Sequence, residues 1–176
     1  MRSIGMCAAF CLLFAALNCS PSLTVKDDYD PEIQFDRIYT WYWLKDSPTQ
    51  LAVAEADQAT REVDSMVRRV IEDEMMKKGL TRVETNPDIE VTYHIGLTGE
   101  YGSINWDRNY LEQVKNAEVY KSSGGVIIVD VIDARTDRLI WRGTGTGAVN
   151  VDPTPEMVQK NVTRAIKKIM DKFPPK

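Results

Sequence analysis

One histidine, His94, and three cysteines, Cys7, Cys11 and Cys19, make up the chain's stock of the side chains that most often carry nucleophilic or metal chemistry. A Ser–His–Asp type of site needs its histidine between a nucleophile and a carboxylate. His94 instead lies in an alternating run, on the polar parity, where a surface histidine is expected, exposed or satisfied by neighbours. With one histidine and no paired cysteines, a metal site would have to be built from carboxylates alone. The acidic run Asp27-Asp28-Tyr29-Asp30 lacks the glycine and terminal glutamate of a calcium loop and reads as a solvated tether. Asp130 and Asp133 invite an acid–base pairing, but Asp133 opens a turn, where aspartate is favoured for local reasons. Asp130 interrupts a buried-looking apolar run and needs a cation, which Arg135, Arg138 or Arg142 can supply in a structural ion pair. Gly96, Gly99 and Gly102 match neither the dinucleotide fingerprint nor the phosphate loop and read as turn glycines. No catalytic residue, cofactor site or metal site is assigned on these grounds.

Aromatic residues are the remaining lead. Tyr42, Tyr101, Trp106 and Tyr110 cannot all belong to one core, and three of them fall in the irregular stretch 98–124. Large rigid rings bury area at small entropic cost, so Tyr101, Trp106 and Tyr110 are candidate contacts to a partner. The alternative is that they fold back over a sheet edge.

The elements that would position these residues follow from periodicity. Residues 19–34 are polar and read as a tether, with a possible short edge strand at Val25–Tyr29. Phe35–Trp43 is aromatic and β-branched, which predicts a strand with Phe35, Tyr39, Trp41 and Trp43 on one face. From Gln58 to Lys78, Val63, Met66, Val67, Val70, Ile71 and Met75 follow helical spacing, and Gly79 stands where a left-handed cap is wanted. Asp64/Arg68, Asp73/Lys77 and Glu74/Lys78 are acid-before-base pairs four apart. Ile89–Leu97 alternates as a half-buried strand. Gly125–Asp133 is nearly all apolar, as in a central strand covered on both faces. The chain turns at 134–138 and returns from Leu139, with Trp141, Gly143, Gly145, Gly147 and Val149 on one face; the glycines leave a shallow channel that a helix could approach, or that could serve as a groove for a small molecule or lipid. Thr154, Pro155 and Glu156 open a second helix, and Pro174-Pro175 stops it. The predicted fold is α+β: a mostly antiparallel sheet of about five strands with two helices packed on one face, forming a single domain over 35–176.

The N-terminus reads as an address. Arg2 precedes fourteen uncharged residues, Ile4–Leu17, too short for the about 20 apolar residues of a membrane span but suited to a secretory signal. Cys19 follows Ala15-Ala16-Leu17-Asn18, a sequence that resembles a bacterial lipobox, whose cysteine is acylated and becomes the first mature residue. Residues 1–18 are then a lipoprotein signal, with a plain signal peptide cut near Ala16 as the alternative. Cys7 and Cys11 lie within it, leaving Cys19 as the sole mature thiol, and acylation accounts for a lone thiol in an oxidising space. The remaining composition is that of an ordinary globular chain: 176 residues, 43% apolar and 27% charged. The net charge of -4, without a cluster of basic residues, argues against nucleic acid as a partner.

Two blocks carry a family resemblance. Tyr29-Asp30-Pro31, then Phe35, Thr40 and Trp43, form the first; GVIIVDVIDARTDRLIWRGTGTGAV from Gly125 to Val149, with the closing helix, forms the second. Both resemble the bacterial lipoprotein family with domain of unknown function 4136. Asp137 stands where that family usually has a turn glycine. The resemblance implies an exported, lipid-anchored envelope domain and no established activity. The expected role is a non-enzymatic binding or structural module, tethered to a membrane through lipid on Cys19, facing the periplasm and touching an envelope protein or the cell wall. Ser20 favours the outer membrane over the inner. A small-molecule or lipid carrier using the glycine face, and a hydrolase using Asp130 or His94, are the alternatives.

Overall fold

The computed structural model describes residues 23–45, 47, 57–97, 124–148 and 153–175. Its centre is one six-stranded sheet in the order β1-β6-β5-β4-β2-β3, where β1 is Leu23–Tyr29, β2 Thr40–Trp43, β3 Thr81–Arg82, β4 Ile89–Leu97, β5 Gly125–Asp133 and β6 Arg138–Gly147. Two helices, α1 (Gln58–Lys77) and α2 (Pro155–Met170), contribute side chains to a single core with one face of that sheet. The α+β class stands, but the sheet has six strands and is mixed rather than mostly antiparallel. β2 runs parallel to both β3 and β4. The reason is the crossover: α1 carries the chain back to the end where β2 began, so the strands that follow run in the same direction as β2.

Both helices begin at side-chain caps, and α2 ends at Met170, short of the Pro174-Pro175 stop. The Asp57 carboxylate accepts the Thr60 amide at 2.8 Å and opens α1. Gly79, at φ +82°, closes it, with the Leu80 amide donating back to the Met75 carbonyl at 3.1 Å. An added Cβ at Gly79 would meet nothing within 4 Å, so Gly79→Ala carries only the backbone cost of the left-handed region. We expect a loss of about 1–2 kcal/mol by urea denaturation, with no change in the far-ultraviolet spectrum. Of the three expected pairs on α1, Asp64 and Arg68 form theirs, with Nε at 3.1 Å from both carboxylate oxygens, whereas Lys77 turns to Glu74 at 2.7 Å. Thr154 caps α2 through the Met157 amide, with Pro155 as its first residue.

The predicted strand 35–43 divides into two parts. Phe35–Arg37 is a 3-10 turn, and the strand begins only at Thr40. Upstream, Asp30 accepts from the Glu32 amide and turns the chain. Downstream, Asp88 clamps the strand start: its carboxylate accepts from the Tyr39 amide, the Thr40 amide and the Thr40 hydroxyl at 2.8–2.9 Å. Those donors, the Tyr39 amide first, hold the Asp88 carboxyl below its usual range. Trp41 and Trp43 consequently lie in the core, while Tyr39 is 64% exposed. The possible edge strand at Val25–Tyr29 is present as part of β1, so Asp27, Asp28 and Tyr29 of the acidic run pair with Gly143, Arg142 and Trp141 of β6 rather than lying in a solvated tether.

Candidate functional site

The register fixes which side chains meet. Across the helix-covered face, one row reads Trp43, Val91, Val131, Trp141; the next reads Tyr93, Val129, Gly143. The other face carries the row Thr92, Asp130, Arg142 and the row His94, Ile128, Thr144. Polar parity therefore put His94 on the expected face, but that face is not a solvent surface. His94 is 3% exposed and Asp130 is 0% exposed, and Thr92 and Thr144 are buried beside them.

Asp130 has taken Arg142, one of the three predicted candidates. The guanidinium Nε donates to Oδ1 at 2.6 Å and Nη2 donates to Oδ2 at 2.9 Å, a bidentate geometry that orients both groups. His94 Nε2 lies 3.9 Å from Asp130 Oδ2, beyond hydrogen-bond length. Burial drives the His94 pKa down to about 4, Asp130 pulling the other way and Arg142 adding to the depression, so the imidazole is neutral at neutral pH. Thr92 Oγ1 and His94 Nε2 share the face without bonding to one another. The Asp130 carboxylate, gripped at both oxygens by Arg142, is not placed to orient the His94 imidazole through a hydrogen bond. The Asp130–Arg142 pair acts as a lock between β5 and β6.

Because the His94 pKa is depressed in the folded state, the unfolded chain takes up the proton first as pH falls from about 6.5. Stability is then lost progressively down to about pH 4, by about 3 kcal/mol in total, where both states are charged. Urea midpoints measured across this window should fall more steeply for the wild type than for His94→Gln. Equal slopes would show that His94 is not the group responsible.

On the helix-covered face, sequence reasoning missed a second network. The Tyr93 hydroxyl donates to the Asp64 carboxylate, and the Arg68 guanidinium lies 4.6 Å from the centre of the Trp43 ring. Trp43 Nε1 donates to Glu72 at 2.9 Å, and Arg82 reaches the same carboxylate oxygen at 2.8 Å. Burial, then the Asp64 contact, raises the Tyr93 phenol well above its ordinary range. The only sequence signal was the Asp64/Arg68 spacing.

The glycine face is no groove. A Cβ on Gly143 would sit 2.5 Å from Ile169 Cγ2, and one on Gly145 would sit 3.0 Å from Ile169 Cδ1. α2 fills the channel, which removes the carrier reading at these two glycines. A cleft of about 330 Å³ lies at the opposite end of the sheet, lined by Phe35, Ile38, Tyr39, Leu80 and Pro174 among others. Its lining does not include His94, Asp130 or Arg142. Among the described residues, no three His, Cys, Asp or Glu side chains converge to hold a metal ion. Tyr42 is half-buried on β2. Cys19, Tyr101, Trp106 and Tyr110 lie outside the described residues.

Comparison with solved structures supports the fold. A PDZ domain protein from Parabacteroides distasonis superposes with a TM-score of 0.53 at 16% identity, over 89% of this chain and 37% of that one. The chain thus spans little more than a third of that protein's length. A DUF4136 family protein from Bacteroides thetaiotaomicron superposes with a TM-score of 0.50 at 11% identity, over 86% of this chain and 96% of that one. PelC from Paraburkholderia phytofirmans, a dodecamer, reaches 0.42 at 13% identity over 85% and 95% of the two chains, a likeness too loose to build on. No curated protein sequence matches the chain. A family profile spans the six strands and two helices almost from end to end: residues 25–175 match the domain of unknown function DUF4136, and the chain belongs to that family.

Proposed function

We propose that this protein is an exported cell-envelope lipoprotein, held by lipid on Cys19 at the periplasmic face of a membrane, whose DUF4136 domain is a non-enzymatic binding or structural module. The observation that carries this reading is the position of Cys19. It follows a fourteen-residue uncharged run and stands four residues ahead of Leu23, where β1 begins. Cleavage before Cys19 removes nothing that the described fold uses, and two or more acyl chains on its thiol would hold the domain firmly. The commitment of Asp130 to Arg142, with His94 buried and neutral, favours a module over an enzyme. Tyr101, Trp106 and Tyr110 are the proposed contacts to an envelope protein or to the cell wall, and Ser20 favours the outer membrane.

Intact-mass analysis of protein extracted from membranes tests the anchor. The expected mass is that of residues 19–176 plus acyl groups, and Cys19→Ser should abolish the addition. An unmodified thiol, or retention of residues 1–18, overturns the reading. Photocrosslinkers placed at Tyr101, Trp106 and Tyr110 in intact cells should trap a discrete neighbour; a set of adducts no different from that at an unrelated surface position would count against the contacts.

A further inference from the structure

The outer side of α2 carries an asymmetry that neither the core nor the anchor uses. Between Glu156 and Asp171 the helix holds Lys160, Arg164, Lys167 and Lys168 and no acidic residue, on a chain whose net charge is -4. Ala165, Ile166, Ile169 and Met170 are its buried side, so helical spacing sets Lys160, Lys167 and Lys168 on the outward side, with Arg164 half-buried between them. Lys160, Lys167 and Lys168 are exposed, and a shallow depression of about 430 Å³ runs between their stems.

We infer that this face docks on the anionic headgroups of the membrane that holds the anchor, an inference that rests on the lipoprotein reading above. Reach supports it. Three residues separate Cys19 from Leu23, so their Cα atoms lie at most about 14 Å apart when fully extended. β1, which starts at Leu23, lies directly beside α2: Lys172 Nζ stands 3.7 Å from Asp27 of β1, and Ile169 packs over the β6 glycines that pair with β1. A bilayer holding Cys19 is therefore within reach of this helix. Charge selects the side. The edge presented by β1 carries exposed Lys26 and Asp28, and Asp30 just beyond it is paired with Arg138 at 2.9 Å, so this edge has no excess of cations to draw anionic headgroups, whereas the outward side of α2 does. An anchor and a basic patch together restrict a domain that an anchor alone would leave free to turn.

Lysine footprinting reads this directly. The chain from residue 19, which contains every described element, is coupled through the Cys19 thiol to a maleimide lipid in vesicles of phosphatidylcholine with or without phosphatidylglycerol. It is then treated with a water-soluble amine acylator and mapped by mass spectrometry. On the anionic vesicles, Lys160, Lys167 and Lys168 should react about tenfold more slowly than on the neutral ones. Lys45 and Lys78 should not change, and high salt should abolish the difference. Equal rates on both vesicles, slowing of all lysines alike, or protection that survives high salt would each overturn the inference. The chemical tether makes this outcome independent of acylation in cells, which the intact mass reads separately.

Discussion

Asp130→Ala should cost the fold about 3–5 kcal/mol, because it leaves the Arg142 guanidinium without the carboxylate it grips at 2.6 and 2.9 Å. Asp130 is completely buried, so water cannot readily replace the lost charge. Stability of a domain this size is typically about 5–15 kcal/mol, so the substitution should remove a large share of it. The informative comparison is the pair replaced together. Asp130→Val with Arg142→Met removes both charges and keeps the volume apolar, and should recover most of the loss in chemical denaturation. If the double variant is as unstable as the single one, the lock is held by something other than this ion pair.

Gly143→Val should be comparably severe for the opposite reason, excess volume. The position is side-chain-free because two neighbours already occupy its space: an added Cβ would fall 2.4 Å from Trp141 Cη2 and 2.5 Å from Ile169 Cγ2. Overfilling a packed core costs about 1–3 kcal/mol, and with a rigid indole on one side and a helix on the other the upper end is expected. Pairing Gly143→Ala with Ile169→Ala should cost less than the sum of the two single changes, since the second removes one of the clashing atoms. Thermal unfolding of the four proteins supplies the test. Strict additivity would mean that α2 does not press on the sheet at Gly143.

What the sequence disclosed, and what it concealed, divides along physical lines. The apolar stripes of α1 and α2, the caps at Gly79 and Thr154, and the unbroken run of β5 were legible because each depends on neighbours a few residues away. The parallel register was not. β3 is two exposed residues, too short to show any alternation, and the direction of β4 relative to β2 follows from where α1 delivers the chain. Phe35–Arg37 has strand-forming side chains, but the Asp30 turn just upstream and the Asp88 clamp, 48 residues from Thr40, decide where the strand starts. His94 shows the limit most clearly. Alternation assigns a residue to a face, but it carries no information about whether that face is wet. Asp130 was readable because an acid in an apolar run must find a cation, although three arginines were equally eligible until the register brought Arg142 directly opposite.

The order in which the strands are made has a kinetic consequence. Among the described strands β1 is synthesised first, yet its hydrogen-bonding partner is β6, so Leu23 must wait for Gly147 before the two can pair. That long-range closure costs chain entropy before any contact repays it, and topologies of this kind fold slowly. Until β6 has emerged, β1 lacks its partner strand, a window in which a holdase would protect the nascent chain from edge-to-edge aggregation.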